Sequence, residues 1–322
     1  MQITKNPPRR RTIAVLLFDG FSAYCLANSV EPLRAANTLS GEPLYRWQFL
    51  SVDGSEVSSS SGLPVQPGMR LSEHSGGDYL FVMSSYGVRD IARPKTLNAL
   101  SAAAPRFGAL VGFDTGAWLL GAAGLLDGRP ATIHWDEFTQ FAERFPDIDT
   151  RTERYVIDGD RITCGGAITA FELMMDLIAQ HNGARLRLDV AALFMLGEYG
   201  GELGGEPGTL PRMTGSQTVD AAVATMRRTV EAPLPIAGIA RAVATSQRRL
   251  EALFRDRLGL TPLAVYKGIR LREARRLGEQ TGFSIAEIAA RCGYADASAL
   301  TRAYKAEFGV PPTAHRKARD SA

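Results

Sequence analysis

The stretch FGALVGFDTGAWLLGAAGLLDGRPATIHW, residues 107–135, indicates how the first half of the chain folds. A continuous apolar run, Phe107–Phe113, is typical of a buried strand, and one polar residue, Asp114, follows it. The small apolar residues from Thr115 to Leu126 then indicate a helix that begins at once. Such a turn exposes its apex side chain above the sheet, beside backbone N–H groups and the positive end of the helix. The sequence therefore predicts a site that favours an anion, with Asp114 at its apex.

The segments around this turn alternate between strand-like and helix-like patterns. Short apolar runs lie at 12–18, 47–53 and 78–83, and helical patterns cover Ala23–Leu39 and Ile91–Ala103. This order predicts an α/β domain with a doubly wound, mostly parallel sheet and helices on both faces. A hairpin at 154–164, with its turn at Asp158-Gly159, and two helices, 167–180 and 186–199, complete a domain at 11–200.

Length and charge indicate a second domain. A chain of 322 residues exceeds one ordinary core, and 45% hydrophobic with 22% charged residues is typical of a soluble globular protein. Residues 1–211 contain 18 Lys and Arg against 24 Asp and Glu, a net charge of −6, whereas residues 212–322 contain 19 against 10, a net charge of +9. A basic end is typical of a nucleic-acid-binding module, with a solvated basic surface as the alternative. The glycine-rich segment 201–215 predicts a linker between the two.

Other features argue against several protein classes. The three cysteines, Cys25, Cys164 and Cys292, are far apart and form no Cys/His cluster, so we expect no disulfide framework, metal site or cofactor. No apolar run approaches the roughly 20 residues that cross a bilayer, and the N-terminus lacks the apolar segment of a signal peptide. We therefore expect a cytoplasmic protein without a membrane partner.

The C-terminal third contains an internal repeat. Residues 236–262 (IAGIARAVATSQRRLEALFRDRLGLTP) match residues 285–312 (IAEIAARCGYADASALTRAYKAEFGVPP), with an offset that changes by one in a tight turn. Each copy has a short apolar helix, a turn and a second helix with polar and basic residues, the arrangement of a helix-turn-helix unit. Segment 263–277 predicts the helix that joins the units. A generic helical bundle is the alternative, but the matched glycines and prolines favour an all-α tandem helix-turn-helix domain at 216–318.

This layout resembles the C-terminal DNA-binding domain of AraC-family transcription regulators over its full length, and SIAEIAARCGY with FGVPPTAHR is the most specific signature. The resemblance implies double-stranded DNA as a partner and one recognition helix in each unit. Gln and Arg can pair with base edges, Ser, Thr and Lys suit phosphates, and Asp suits a helix cap. The residues implied for DNA binding are Ser246, Gln247, Arg248 and Arg249 in the first unit and Asp296, Ala297, Ser298, Thr301, Arg302 and Lys305 in the second.

The first domain resembles the class I glutamine amidotransferase-like proteins that include the ThiJ/PfpI group. In the enzymes of that group the apex residue is cysteine and a histidine follows about twenty residues later; here Asp114 holds the apex and His134 keeps the spacing. Cys25 stands at the position where those enzymes have a glutamate. The segment VMSSYG (82–87) lacks a double glycine that they often have. A carboxylate is a poorer nucleophile than a thiolate. The resemblance therefore predicts a domain with no catalytic residue.

Three stretches, NSVEPLRAAN (28–37), LYRW (44–47) and GAAGLLDGRPATIHW (121–135), resemble a subgroup that regulates catabolism of small nitrogen compounds such as glycine betaine, carnitine or arginine. A buried carboxylate needs a partner, and aromatic faces around it suit a quaternary ammonium. The residues expected to bind this inducer are Asp114, Trp118, His134, Trp135, Tyr24, Cys25 and Tyr86. Simpler interpretations remain: Asp114 as a helix cap, the tryptophans as core residues, His134 as a satisfied strand-end histidine and Cys25 as a small buried residue.

Together these features predict a ligand-responsive, DNA-binding transcription regulator, an activator, in which an inactive amidotransferase-like domain controls the helix-turn-helix domain. The family also implies a homodimer and contact with RNA polymerase. Two alternatives remain open. One is a ThiJ/PfpI-type hydrolase or glyoxalase with an accessory DNA-binding tail, and the other is an architectural DNA binder without a ligand.

Overall fold

The computed structural model describes residues 9–194 and 216–314, and the chain divides at 193/194 into two compact units. The predicted linker, 201–215, lies outside the described residues, as do the end of the predicted helix 186–199 and residues 315–318. In the described parts of both units, no helix is long and apolar enough to cross a membrane.

The N-terminal unit is built on a seven-stranded sheet. Its order is β10-β11-β7-β6-β1-β2-β5, and every neighbouring pair is parallel except the edge pair β10 and β11. Two short two-stranded ladders, β3-β4 and β8-β9, complete the strands. The strands are β1 (Arg11–Leu17), β2 (Tyr45–Ser51), β3 (Val57–Ser58), β4 (Pro64–Val65), β5 (Met69–Arg70), β6 (Gly77–Ser84), β7 (Phe107–Asp114), β8 (Pro130–Ala131), β9 (Asp149–Thr150), β10 (Tyr155–Asp158) and β11 (Arg161–Cys164).

Helices cover both faces of this sheet, which confirms the predicted α/β fold. Helices α1, α6 and α7 pack together as one layer, and α2 to α5 belong to the other. The central strands are apolar along their middle because both faces are covered there, and Ala14–Leu17 of β1 are fully buried. The helices are α1 (Ala23–Ser40), α2 (Val88–Ile91), α3 (Pro94–Ala103), α4 (Gly116–Ala122), α5 (Phe138–Arg144), α6 (Ala167–Asn182) and α7 (Ala184–Leu193).

Two helices differ from the sequence prediction. The predicted helix Ile91–Ala103 is broken, because a proline disfavours helical backbone at the residue before it and Pro94 therefore starts a new helix, α3. The helix predicted for Thr115–Leu126 ends at Ala122, two residues before Gly124, whose φ of +69° reverses the chain.

The predicted hairpin at 154–164 is present, with Gly159 at φ +60° in its turn.

The C-terminal unit is entirely helical in its described residues. It contains α8 (Gln217–Arg228), α9 (Ile236–Ala242), α10 (Gln247–Leu258), α11 (Pro262–Gln280), α12 (Ile285–Arg291) and α13 (Ala297–Phe308). The pairs α9/α10 and α12/α13 are the two predicted repeats, and α11 joins them. Each pair has a left-handed residue in its turn, Ala244 at φ +53° and Gly293 at φ +66°. In the second pair, Leu300 and Tyr304 pack into a core shared by α11, α12 and α13.

Candidate ligand site and nucleic-acid interface

The apex of the strand-to-helix turn adopts a constrained backbone. Asp114, the last residue of β7, has φ +59°, a left-handed conformation in which Asp and Asn are the most tolerated non-glycine residues. Two residues later, Gly116 lies so close to β6 that a Cβ on it would stand 2.1 Å from the carbonyl oxygen of Val82. The sharp turn therefore depends on a glycine at the start of α4, and it fixes where the Asp114 carboxylate points.

The Asp114 carboxylate is buried, with 7% of the residue exposed, and is held by a neighbouring strand end. Ser85 Oγ donates a hydrogen bond to Asp114 Oδ2 at 2.8 Å, and the Thr115 hydroxyl donates to the Ser85 carbonyl at 2.8 Å. Burial raises the pKa of Asp114, although the Ser85 bond, the charge of His134 and the Thr115 N–H act in the opposite direction. The site therefore holds a carboxylate that is short of compensating charge.

Helix capping does not account for Asp114. Helix α4 begins at Gly116 with Thr115 in the cap position, and no side-chain cap hydrogen bond is present there. The Asp114 side chain instead accepts a hydrogen bond from Ser85, which follows β6. The interpretation of Asp114 as a helix cap therefore has no hydrogen bond to support it.

Two serines in this strand end were missed by the sequence prediction. Besides Ser85, Ser84 pairs with Asp114 across the sheet, and its buried Oγ has no hydrogen-bond partner among the described residues. Both serines stand in VMSSYG, where the enzymes often have glycines. Polar side chains at the end of a strand that borders the apex were the signal that could have identified them.

Two buried cysteines lie near the apex carboxylate. Burial raises the pKa of the Cys25 thiol well above its ordinary value and that of Cys164 to about 12, and the charge of Asp114 adds to both shifts. Cys164, at the end of β11, was not predicted as a site residue, although its place beside the end of β7 could have revealed it. Both groups are neutral thiols at physiological pH, and a neutral thiol is a poor nucleophile.

His134 lies against the same turn, but its ring is partly engaged elsewhere. The backbone N–H of His134 donates to the Asp114 carbonyl at 3.4 Å. In the ring, His134 Nδ1 accepts the backbone N–H of Asp136 at 3.4 Å. Its ring centre is 5.6 Å from that of Trp135. The spacing of twenty residues therefore brings the backbone of His134 next to the apex.

Three of the four predicted aromatic residues are exposed beside residues that border the apex. Trp135 is 78% exposed next to His134, Tyr86 is 71% exposed next to Ser85, and Tyr24 is 56% exposed next to Cys25. Their rings are open to solvent and are therefore available to a ligand rather than packed in the core. Trp135 is thus not the core residue of the simpler interpretation.

Trp118 requires a correction, because it lies in a different environment. It is buried, its ring packs against Phe141 and Phe145, and the Arg89 guanidinium stands 4.8 Å over its centre. Trp118 borders a groove of about 950 Å³ whose lining does not include Asp114. Since Arg89 already covers its ring, Trp118 is not part of the candidate ligand site at Asp114.

We expect Asp114→Asn to stabilise the N-terminal unit at pH 7 and to have little effect at pH 3. Because burial raises the folded-state pKa above its ordinary value of 3.8, the folded state retains the proton longer than the unfolded state, and stability falls as the pH rises above 3.8. Asparagine keeps the size and tolerates positive φ but carries no charge. Urea denaturation followed by tryptophan fluorescence measures the effect, because Trp47, Trp118 and Trp135 all lie in this unit. Glu42→Gln, which changes an exposed carboxylate, serves as control. If Asp114→Asn is less stable than the parent at pH 7, the charge of Asp114 does not destabilise the folded state and the prediction is contradicted.

The residues predicted to face DNA in the first repeat lie at the start of α10. Ser246, Gln247, Arg248 and Arg249 are all exposed. Ser246 caps the helix by accepting the Arg249 N–H at 3.2 Å, and Gln247 bonds Glu251 within the helix at 2.8 Å. Leu250, Phe254 and Leu258 anchor the opposite face in the core, which leaves this helix start open to a partner.

The second repeat presents α13 in the same way. Asp296, Ser298, Arg302 and Lys305 are exposed, whereas Ala297 and Thr301 are half-buried. Asp296 caps the helix by accepting the Ala299 N–H at 2.7 Å, as predicted, and the Thr301 hydroxyl donates to the Ala297 carbonyl at 2.7 Å. The side chains free to extend outward are therefore Ser298, Arg302 and Lys305.

Comparison with known proteins agrees with both units. A helix-turn-helix domain family matches residues 239–318. The HTH-type transcriptional regulator CdhR of Pseudomonas aeruginosa is 36% identical over 303 residues, which cover 94% of this chain and 90% of the relative. The crystal structure of an AraC family transcriptional regulator from Pseudomonas putida matches with TM-score 0.50 and 26% identity, over 57% of this chain and 99% of that one. A ThiJ/PfpI family protein from Pseudomonas syringae matches with TM-score 0.50 and 21% identity, over 74% and 90%.

The two units therefore define a DNA-binding transcription regulator whose first unit has the fold of the ThiJ/PfpI proteins. The predicted fold and family are confirmed. The chain belongs to the AraC family of HTH-type transcriptional regulators.

Proposed function

We propose that this regulator senses a small cationic metabolite, of the quaternary-ammonium or amino-acid type, at the Asp114 turn. The observation that carries the proposal is the buried carboxylate at the apex. Its pKa is raised by burial, and its direct side-chain partner is the neutral hydroxyl of Ser85. A bound cation supplies the missing charge, so that ligand binding and compensation of Asp114 are the same event.

The exposed aromatic residues favour a ligand of this kind. Tyr24, Tyr86 and Trp135 are each adjacent in sequence to a residue that borders the apex, and their rings are open to solvent. A cation held against an aromatic face gains about 0.5–2 kcal/mol at each contact. Such contacts also select alkylated ammonium groups over strongly hydrated inorganic cations. His134 and Cys25 are the remaining residues of the proposed ligand site.

The same groups support a site without catalysis. The apex carboxylate is a poor nucleophile toward amides, and the nearby thiols of Cys25 and Cys164 are kept protonated by burial. No described group of three or more His, Cys, Asp or Glu residues could hold a metal ion in their place. We therefore propose that the ThiJ/PfpI-type unit binds its ligand and leaves it unchanged.

Regulation follows if the ligand binds two arrangements of the protein with different affinity. We propose that ligand binding favours the arrangement in which α10 and α13 engage promoter DNA and RNA polymerase is recruited, which makes the protein a cytoplasmic activator. We also propose a homodimer, whose symmetry sets the spacing of the DNA sites. A domain at 11–200 and a DNA-binding domain at 216–318, joined by a linker at 201–215, suit this scheme.

We expect a cationic ligand to raise the melting temperature of the full chain and Asp114→Asn to abolish that shift. The panel contains glycine betaine, carnitine, choline, dimethylglycine and arginine. Ligands that bind only the folded state stabilise it by mass action. Calorimetry of the hits should show that Asp114→Asn weakens binding by at least about tenfold, the equivalent of 1.4 kcal/mol.

Two controls make this test specific. Glu42→Gln removes an exposed carboxylate and should bind each hit as the parent does. For a choline hit, 3,3-dimethyl-1-butanol has the same shape without the charge and should not bind. Equal affinity of the neutral analogue, or of Asp114→Asn, contradicts the proposed cation site. Turnover of a hit that is lost in Asp114→Asn would instead show an enzyme.

A further inference from the structure

The turn of the second helix-turn-helix unit is held by a side chain from the helix that joins the two units. Arg270 of α11 donates from Nε to the Cys292 carbonyl at 2.8 Å and from Nη2 to the Gly293 carbonyl. Its guanidinium carbon lies 4.3 Å from the ring centre of Tyr294. One side chain thus contacts three successive residues of the turn between α12 and α13.

These contacts meet specific needs of the turn. Cys292 closes α12, where helix carbonyls lack partners and carry partial negative charge, so a guanidinium is well suited to them. Gly293 then adopts φ +66°, which redirects the chain toward Asp296, the cap of α13. The direction of α13 therefore depends on the geometry that Arg270 holds.

The same turn packs against the connection between α8 and α9. A Cβ on Gly293 would lie 2.4 Å from Pro233 Cγ and 2.8 Å from the Val230 carbonyl oxygen. That connection is in turn fastened to α11 by Tyr266, whose hydroxyl donates to the Thr229 carbonyl at 2.8 Å. One turn of α11, from Tyr266 to Arg270, thus holds both the connection that precedes the first unit and the turn of the second.

We propose that Arg270 is a positioning residue that fixes α13 relative to α10 and thereby sets the spacing between the two DNA segments that the units recognise. The proposal rests on the assignment of α10 and α13 as the helices that face DNA. Successive base pairs are about 3.4 Å apart along the helix axis. A small displacement of α13 therefore changes which spacing fits. Arginine is required because lysine cannot donate two fixed bonds and stack at the same time.

The test uses DNA duplexes selected by the full-length protein from a random library, with one base pair then inserted or deleted between the two protected segments. The parent protein should lose roughly tenfold or more in affinity when the spacing changes, the cost of displacing one reading helix from its bases. Arg270→Lys should bind the selected duplex roughly tenfold more weakly and distinguish the spacings by less than about threefold. Its protection should weaken over the segment of the second unit alone. Lys267→Arg, an exposed and charge-conserving change on the same helix, should match the parent.

Salt dependence distinguishes positioning from direct DNA contact. If Arg270 binds a phosphate directly, the charge-removing Arg270→Gln lowers the slope of log affinity against log salt by about one, whereas substitution of a positioning residue leaves that slope unchanged. Tyr294→Leu, which removes the stacked ring but keeps the carbonyl bonds, should relax the spacing preference in part, and circular dichroism verifies that all three variants fold. A reduced slope with the spacing preference intact overturns the proposal. A parent protein that binds equally well when the spacing is altered also overturns the proposal. That result would further contradict the assignment of α10 and α13 as the helices that face DNA.

Discussion

Gly116→Ala is expected to destabilise the N-terminal unit by about 3 kcal/mol or more, because the added methyl group overlaps backbone rather than a movable side chain. The new Cβ would lie 2.1 Å from the Val82 carbonyl oxygen and 3.0 Å from the Val82 carbonyl carbon, and β6 is a central strand that cannot withdraw. Tryptophan fluorescence during urea unfolding measures the loss in the N-terminal unit alone, since all three tryptophans lie there.

Gly128→Ala is the matched control for this prediction. Gly128 has φ +72° and nothing within 4 Å of the position that a Cβ would take, so alanine there meets only the backbone cost of a left-handed residue, about 1 kcal/mol. We therefore expect Gly116→Ala to lose more stability than Gly128→Ala, although the φ of Gly116 is not positive. If Gly116→Ala unfolds at the same urea concentration as the parent, the turn is looser than the structure describes and the position of the Asp114 carboxylate is no longer fixed by packing.

The sequence predicted the parts of the fold that depend on local pattern. An apolar run followed by one polar residue and a small-residue helix identified the turn at Asp114, and the repeat identified both helix-turn-helix units. The break at Pro94 was also available from the sequence, because proline restricts the preceding residue, but the apolar pattern across 91–103 concealed it. These features are local, so a single sequence can reveal them.

The site was less predictable, because its contacts join segments that are distant in sequence. Ser85 reaches Asp114 only because β6 and β7 are neighbours, and Cys164 approaches it only because β11 lies on the other side of β7. Trp118 was assigned to the apex because it lies one turn past Asp114 in the sequence, yet its ring packs against Phe141 and Phe145. Segment 263–277 was predicted only as a joining helix, since nothing in its sequence shows that the Arg270 guanidinium faces the turn at Cys292.

Removing the outward arginine of each predicted recognition helix should produce the largest loss of function. We expect Arg248→Ala and Arg302→Ala each to weaken binding of a selected DNA duplex by about 10- to 100-fold, the equivalent of roughly 1–3 kcal/mol for the removal of a pair of base contacts. Both side chains are exposed on helices whose other face is anchored in the core. Each variant should also lose preference for particular bases, and at separate positions, because we expect the two helices to read separate segments.

The position of Arg257 on α10 provides a matched control. It follows Arg248 by nine residues, which places it about half a turn around a helix of 3.6 residues per turn, and it pairs with Asp256. Arg257→Ala should therefore retain the affinity and base preference of the parent, whereas Lys305→Ala, a phosphate contact by prediction, should weaken all duplexes alike and lower the salt slope by about one. Equal losses in Arg248→Ala and Arg257→Ala would mean that only net positive charge matters. In that case α10 attracts DNA without reading it, and the base-specific role passes to α13 alone.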